Sequence, residues 1–284
     1  MTEPVRRSVA VNGGSMSCLE WDGPAADKLL FAHANGFNAP TYRVLLGPLC
    51  DRLHVVACDL RGHGFSTLAV KRGLAAGWTV FAEDLGALAA ELSDSPLILA
   101  GHSLGATASL IAAARAPAQV RALVLIEPVL MPPFDAGAHP PANNLASRAA
   151  QRRSVFPSFD AAREIWRGRR IFASWPDAIL DDYLAGGLID DGDCELRLAC
   201  SPEWEAEIFR EAPRDVAAIA GKVACPITIV RGTVGSTATD EQLDAIQRFR
   251  PDTHVIAIAN GTHFLPMETP EPVREAIRWA ADRA

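Results

Sequence analysis

Six compact apolar runs punctuate the chain: KLLFAHA (28–34), LHVVACD (53–59), PLILAGH (96–102), RALVLIE (121–127), CPITIVRG (225–232) and HVIAIAN (254–260). Each is short and apolar throughout, the pattern of a strand covered on both faces rather than one that alternates between core and water. Helical periodicity fills most of the intervals, so the pattern predicts an α/β fold whose mostly parallel sheet carries helices on both sides. Ahead of these runs, VRRSVAVNGGSMSCLEW has two short strand-like stretches around Asn12-Gly13-Gly14, which predicts an opening hairpin.

The helices are marked by their ends. GWTVFAEDLGALAAEL begins near Thr79, and the Ala-rich LGATASLIAAARA is stopped by Pro117. In TDEQLDAIQRF, Thr239 and Gln242 have the spacing of a capping box, and a last helix runs from about Pro270. Between Glu127 and Cys225 this rhythm breaks. The interval holds four short helical patterns (NNLASRAAQRR, DAAREIWRG, PDAILDDYLAGG, PEWEAEIFREA) and the aromatics Phe156, Phe159, Trp166, Phe172, Trp175, Tyr183 and Trp204. So aromatic a segment must bury one side, and the loop end of the sheet is the partner available to it. The predicted organisation is a first part of the core over 1–129, a helical lid over 130–215 and a second part of the core over 216–284.

At 284 residues and 49% hydrophobic content, the chain can bury one large core. It has no apolar run long enough to cross a bilayer, and its first twenty residues lack the apolar centre of a signal peptide, so a soluble cytoplasmic protein is expected. A net charge of -7 argues against a nucleic-acid surface. Seven arginines nevertheless lie between Arg148 and Arg170, and Arg163, Arg167 and Arg170 have the spacing of one helical face. That face is either simply solvated or an electropositive rim that draws acidic substrates to a pocket mouth. The cysteines (18, 50, 58, 194, 200, 225) lack CxxC spacing and read as reduced, buried thiols. No histidine pair has metal-ligand spacing, and no cofactor is expected.

The stretch most suggestive of chemistry is LILAGHSLGATASL. A strand enters Gly101-His102-Ser103-Leu104-Gly105 and a helix leaves it; the glycines permit a sharp turn that exposes Ser103, and the helix aims its first N–H groups at the same point. With HANGF after the third strand, DLRGHGFS after the fourth, the insertion, and NGTHFLPMETPEPV near the end, the whole chain resembles the α/β-hydrolase superfamily. The resemblance implies that Ser103 is an acyl-accepting nucleophile and His263 the base that takes its proton. It also implies an oxyanion hole from the amides of Leu104 and Phe37, Asn35-Gly36 taking the His-Gly positions of the family's loop. His33 and Asn35 either orient that loop or line the pocket, with Trp166 and Trp175 of the insertion as further pocket candidates. Asp59 and Arg61 read as turn-stabilising. Of the remaining histidines, His102 is carried in the elbow facing away from the serine, His63 belongs to the GHG turn, His54 and His254 begin strands, and His139 lies in a Pro-rich loop.

One expected residue is missing. The superfamily's usual acid follows ITIVRG by three or four positions, where this chain has Gly235 and Ser236. Glu127, at the end of the preceding strand, is the leading replacement, since strand ends on this side point into the crevice. Haloalkane dehalogenases place their acid at the same strand end. Asp240, in the first turn of a capped helix, and a dyad without an acid are the alternatives. A serine nucleophile excludes the branches that need an aspartate there, epoxide hydrolases and dehalogenases. A carboxylic-ester hydrolase acting on a small molecule is therefore expected; lactonase, thioesterase, C–C bond hydrolase and a non-catalytic binding homologue are the alternatives.

Overall fold

Asn12 and Gly13 both adopt positive φ (46° and 78°), the primed turn whose twist suits a hairpin, and join β1 (Val5–Val11) to β2 (Gly14–Trp21). The computed structural model describes residues 3–24, 27–132, 144–190, 192 and 195–284. The apolar runs form β3 (Lys28–Ala32), β4 (His54–Cys58), β5 (Leu97–His102), β6 (Val120–Ile126), then, after three short strands β7 (Val155–Phe156), β8 (Leu188–Asp190) and β9 (Leu196–Leu198), β10 (Ile227–Gly232) and β11 (His254–Ile258). The main sheet has the order β1-β2-β4-β3-β5-β6-β10-β11. β2 is antiparallel to both neighbours, and every pairing from β4 to β11 is parallel.

Successive residues of each inner strand serve opposite layers, which is why these runs show no polar alternation. Leu30, Ala32, Leu99, Ile227 and Ile229 face one layer, with Leu85 and Leu88 of the helix Thr79–Leu92, Leu110 of the helix Leu104–Arg115, and Leu243 and Ile246 of the helix Asp240–Phe249. Leu29, Phe31, Ile98, Ala100 and Val230 face the other, with Leu45, Leu46 and Leu49 and with Val273 and Ile277 of the helix Pro270–Ala281. Thr239 and Gln242 close the capping box their spacing predicts. Because the inner strands run parallel, the loops after β3, β5, β6, β10 and β11 emerge at one edge. Those loops carry His33 to Phe37, Ser103, Glu127, Ser236 and His263.

Between β6 and β10 the four helical patterns form helices at Asn144–Ala150, Phe159–Trp166, Asp177–Gly187 and Pro202–Arg210. The antiparallel sheet β7-β9-β8 beside them has no counterpart in the sequence reading, because strands of two or three residues are too short to display a period. This segment rests on the loops after β3 and β4. Asn38 Nδ2 donates to the Tyr183 carbonyl at 2.9 Å, Asn35 Nδ2 to that of Glu205 at 3.0 Å, and the Trp204 indole to that of Arg61 at 3.1 Å.

Arg163, Arg167 and Arg170 do not share one helical face, because the helix ends at Trp166 and Arg170 opens a separate turn at φ 52°. Arg163 pairs with Asp177 and Asp181, Arg167 with Asp177, and Arg152 with Glu205 at 2.7 Å. Two of the three predicted residues, Arg163 and Arg167, are thus already paired with carboxylates of the helix Asp177–Gly187. His139 and Cys194 lie outside the described residues; of the other cysteines, Cys18, Cys58, Cys200 and Cys225 are buried free thiols. Among the described residues no helix is long and apolar enough to cross a membrane.

Candidate active site

Ser103 sits at φ 53°, ψ −113°, backbone that a residue with a Cβ seldom adopts. The surroundings over-determine it. Its amide donates to the Ile126 carbonyl of β6 at 2.9 Å, and its carbonyl accepts from Thr107 in the first turn of the following helix at 3.1 Å. The flanking glycines are required by contact: a Cβ on Gly101 would lie 2.4 Å from the Gly105 carbonyl carbon, and one on Gly105 would lie 2.2 Å from the Ala32 carbonyl oxygen. The Gly105 amide in turn donates to the His33 carbonyl at 3.1 Å, tying the elbow to the loop after β3. Leu104, first residue of the helix, carries an amide with no acceptor inside the helix.

Glu127, one residue past β6, is fully buried and also has positive φ (47°). Its amide continues the pairing with β10 by donating to the Val230 carbonyl at 2.8 Å, and the chain then turns so that the carboxylate faces the loop after β10. Oε1 accepts from the Gly232 amide at 2.6 Å and from the Ser236 hydroxyl at 2.8 Å. Oε2 accepts from the Thr237 amide at 2.9 Å and from His263 Nδ1 at 3.2 Å. Burial alone would raise this carboxyl's pKa; the His263 contact, the Gly232 and Thr237 amides and the Ser236 hydroxyl outweigh it and bring the pKa down to about 2. An ionised acceptor at Oε2 keeps the proton of neutral His263 on Nδ1, leaving the Nε2 lone pair for another proton. Asp240, by contrast, is exposed and pairs with Arg231 at 2.7 Å.

Two buried imidazoles hold the loops around this centre. His33 donates from Nδ1 to the Ala34 carbonyl at 2.8 Å and accepts the Leu60 amide on Nε2 at 2.9 Å. Its ring nitrogens are thus both occupied, and burial lowers its pKa to about 4. His63 donates from Nδ1 to the Arg61 carbonyl and accepts the Gly36 amide on Nε2, each at 3.0 Å. Asp59 accepts the Phe65 amide within its own turn and the Ala39 amide of the loop after β3, while Arg61 reaches out of the turn to grip Asp84 of the helix Thr79–Leu92 through Nε and Nη2. The Phe37 amide donates to the Ala34 carbonyl at 3.1 Å across Gly36, whose φ is 75°. In this state that amide closes a turn.

The insertion packs its aromatics against the loops that carry Phe37 and His263. Trp175 packs edge-on against Phe37, with ring centroids 5.5 Å apart, and against Phe264, the neighbour of His263, at 6.2 Å. Trp166 is one layer further out, stacked on Phe172 and edge-on to Tyr183. Glu268 accepts from Thr262 of the His263 loop at 2.7 Å and from Ser174 of the insertion at 2.6 Å. Sequence reasoning missed Thr237, whose Oγ1 lies 2.9 Å from the Glu127 carbonyl oxygen and 3.3 Å from His263 Nδ1. The vacancy of the loop at Gly235-Ser236 was the one signal that something there must receive a carboxylate from elsewhere. Nothing in the sequence marks Tyr42, which bonds to His102.

The sequence model of the alpha/beta hydrolase family matches residues 29–276, from β3 into the last helix. The chain belongs to this family. This α/β-hydrolase is a hydrolytic enzyme. It is 30% identical over 250 residues to the 2-(acetamidomethylene)succinate hydrolase of Mesorhizobium japonicum, covering 88% of this chain and 86% of that one. It is 42% identical over 242 residues to lipase LipV of Mycobacterium tuberculosis, covering 79% and 82%. The crystal structure of E-2-(acetamidomethylene)succinate hydrolase superposes with a TM-score of 0.83 at 27% identity, covering 98% of this α/β-hydrolase and 99% of the other chain.

Proposed function

We propose that this α/β-hydrolase cleaves carboxylic esters through an acyl-enzyme on Ser103, with His263 as general base and Glu127 as the acid of the triad. The observation that carries the reading is the contact of His263 Nδ1 with Glu127 Oε2 at 3.2 Å, in the loops flanking a serine held at φ 53°. Ser103 Oγ attacks the acyl carbon while His263 Nε2 takes its proton, and buried Glu127 stabilises the imidazolium. The oxyanion settles at the head of the helix on the Leu104 amide, and on the Phe37 amide once that leaves the Ala34 carbonyl. Collapse expels the alcohol with the proton from His263; water then repeats the sequence and releases the acid. The segment between β6 and β10 acts as the lid of the acyl pocket, Trp175 forming the wall nearest the centre and Trp166 a wall behind it, while Asn35 and His33 hold the oxyanion loop.

Lactones, thioesters and C–C bonds adjacent to carbonyls suit the same three residues. The match to 2-(acetamidomethylene)succinate hydrolase favours a second reading, a small carboxylate-bearing acyl donor. Because Arg152, Arg163 and Arg167 are already paired, such a substrate would be held by short-range contacts, with little dependence of kcat/KM on salt. The test is turnover of p-nitrophenyl butyrate together with mass-spectrometric mapping of a fluorophosphonate adduct. Labelling at Ser103 with turnover is expected. Wild-type protein that neither reacts at Ser103 nor cleaves any activated ester would overturn the proposal in favour of a binding homologue.

A further inference from the structure

Behind the nucleophile runs a hydrogen-bonded chain that none of the acyl chemistry uses. The Ala34 amide donates to Tyr42 Oη at 3.1 Å, Tyr42 Oη contacts His102 Nδ1 at 2.7 Å, and His102 Nε2 contacts the His263 carbonyl oxygen at 2.8 Å. Its polarity is fixed by its ends. An amide can only donate and a carbonyl can only accept, so His102 must carry its proton on Nε2. Nδ1 is then an acceptor, and the phenol donates to it. Tyr42 and His102 are both fully buried. Burial, then the neighbouring His263, lowers the His102 pKa to about 3, so the ring is neutral with this one tautomer throughout the neutral range.

The three points it joins are three separate segments of the centre: the loop after β3 that carries Phe37, the elbow residue next to Ser103, and the backbone of His263. Glu127 fixes the His263 ring; this chain fixes the peptide from which the ring hangs. Phe37 packs edge-on to His102 at 6.3 Å, and the His102 and His263 rings are 4.9 Å apart, so a shift of the elbow imidazole moves both the oxyanion loop and the base.

We propose that Tyr42 and His102 are positioning residues that set the placement of His263 relative to Ser103 and the oxyanion loop. This rests on the acyl-hydrolase reading of the site. Tyr42→Phe removes the donor to His102 Nδ1 and the acceptor of the Ala34 amide while keeping the ring. His102→Gln keeps one acceptor and one donor in the right order; His102→Leu keeps neither. Displacement of a reacting group by about 1 Å can cost on the order of 100-fold. Accordingly, Tyr42→Phe and His102→Leu are expected to lower kcat on p-nitrophenyl butyrate by roughly 10- to 100-fold with KM within about twofold. His102→Gln should recover most of the loss, and Tyr42→Phe added to His102→Leu should cost nothing more. A second readout does not need turnover: the low-field proton of His263 Nδ1–H, identified by its disappearance in His263→Ala, should shift in Tyr42→Phe and return toward wild type in neither leucine variant. Folded Tyr42→Phe with unchanged kcat and an unshifted proton, or a glutamine variant no better than leucine, would overturn the proposal. A wild type without esterase activity would instead sink the acyl-hydrolase reading, and the proton shift would still decide the positioning claim.

Discussion

The Ser236 hydroxyl donates to Glu127 Oε1 at 2.8 Å. The loop position where relatives are expected to carry their acid thus supplies a hydrogen-bond donor to a carboxylate arriving from the neighbouring strand. His263 Nδ1 thus meets a carboxylate that comes from the end of β6 rather than from the loop after β10. Glu127→Gln keeps the shape but offers an amide that cannot enforce the tautomer or stabilise the imidazolium. Loss of kcat on the order of 10³- to 10⁴-fold is expected, with Ser103 still present. A rate within tenfold of wild type, in protein with unchanged circular dichroism, would place the acid elsewhere.

Thr237→Val tests the support of that acid. The substitution is close in volume but removes an Oγ1 that lies 2.9 Å from the Glu127 carbonyl oxygen and 3.2 Å from Oε2. Buried acceptors left short of a donor cost about 1–3 kcal/mol. Urea unfolding should show a loss of that order, with kcat falling roughly tenfold as the carboxylate loosens from His263.

Acid stability follows from the same pair. The Glu127 pKa in the fold, about 2, lies below its ordinary value of 4.5, so its ionisation stabilises the fold above pH 4.5 and that contribution disappears as pH falls toward 2. The amount is on the order of 3 kcal/mol. The gap in unfolding free energy between wild type and Glu127→Gln should therefore be constant above about pH 5 and narrow steadily below it. A gap that does not change between pH 6 and pH 3 would contradict the assignment of a depressed carboxyl.

The elbow stores strain that can be measured. At φ 53°, ψ −113°, Ser103 pays for its exposure with its own Cβ. Ser103→Gly is therefore expected to be more stable than Ser103→Ala by about 1 kcal/mol, both being inactive, the relief exceeding the extra chain entropy glycine brings to the unfolded state. Differential scanning calorimetry of the two variants checks the sign.

Strand placement was legible because an inner parallel strand must be apolar on both faces over a short length. Ser103 and His263 were legible because a strained turn and a loop between the last strand and last helix impose local sequence. The approach of Glu127 to His263 was legible through the absence of an acid at Gly235 and Ser236. What stayed hidden depends on partners distant in the chain: Arg152 meets Glu205, Arg163 meets Asp181, and Tyr42 meets His102 across 60 positions, and no local spacing encodes such pairs. His33 could be nominated from its loop, but that both its nitrogens are consumed by backbone is visible only in three dimensions.

Trp175 bears on the proposed acyl pocket. Its indole N–H is buried and finds no hydrogen-bond partner among the described residues, while its ring is packed by Phe37, Phe172, Tyr183 and Phe264. Leaving such a donor unanswered costs about 1–3 kcal/mol, and in the proposed acyl pocket a substrate oxygen would answer it. Trp175→Phe removes the donor and keeps an aromatic wall. Its unfolding free energy should stay within about 1 kcal/mol of wild type, because the lost apolar area is offset by the relieved N–H. The substrate response should split. For acyl groups with an oxygen beyond the scissile carbonyl, KM should rise roughly tenfold, one lost hydrogen bond, whereas for plain alkanoyl esters it should hardly move. Equal KM changes for both series would show that the indole contributes shape alone.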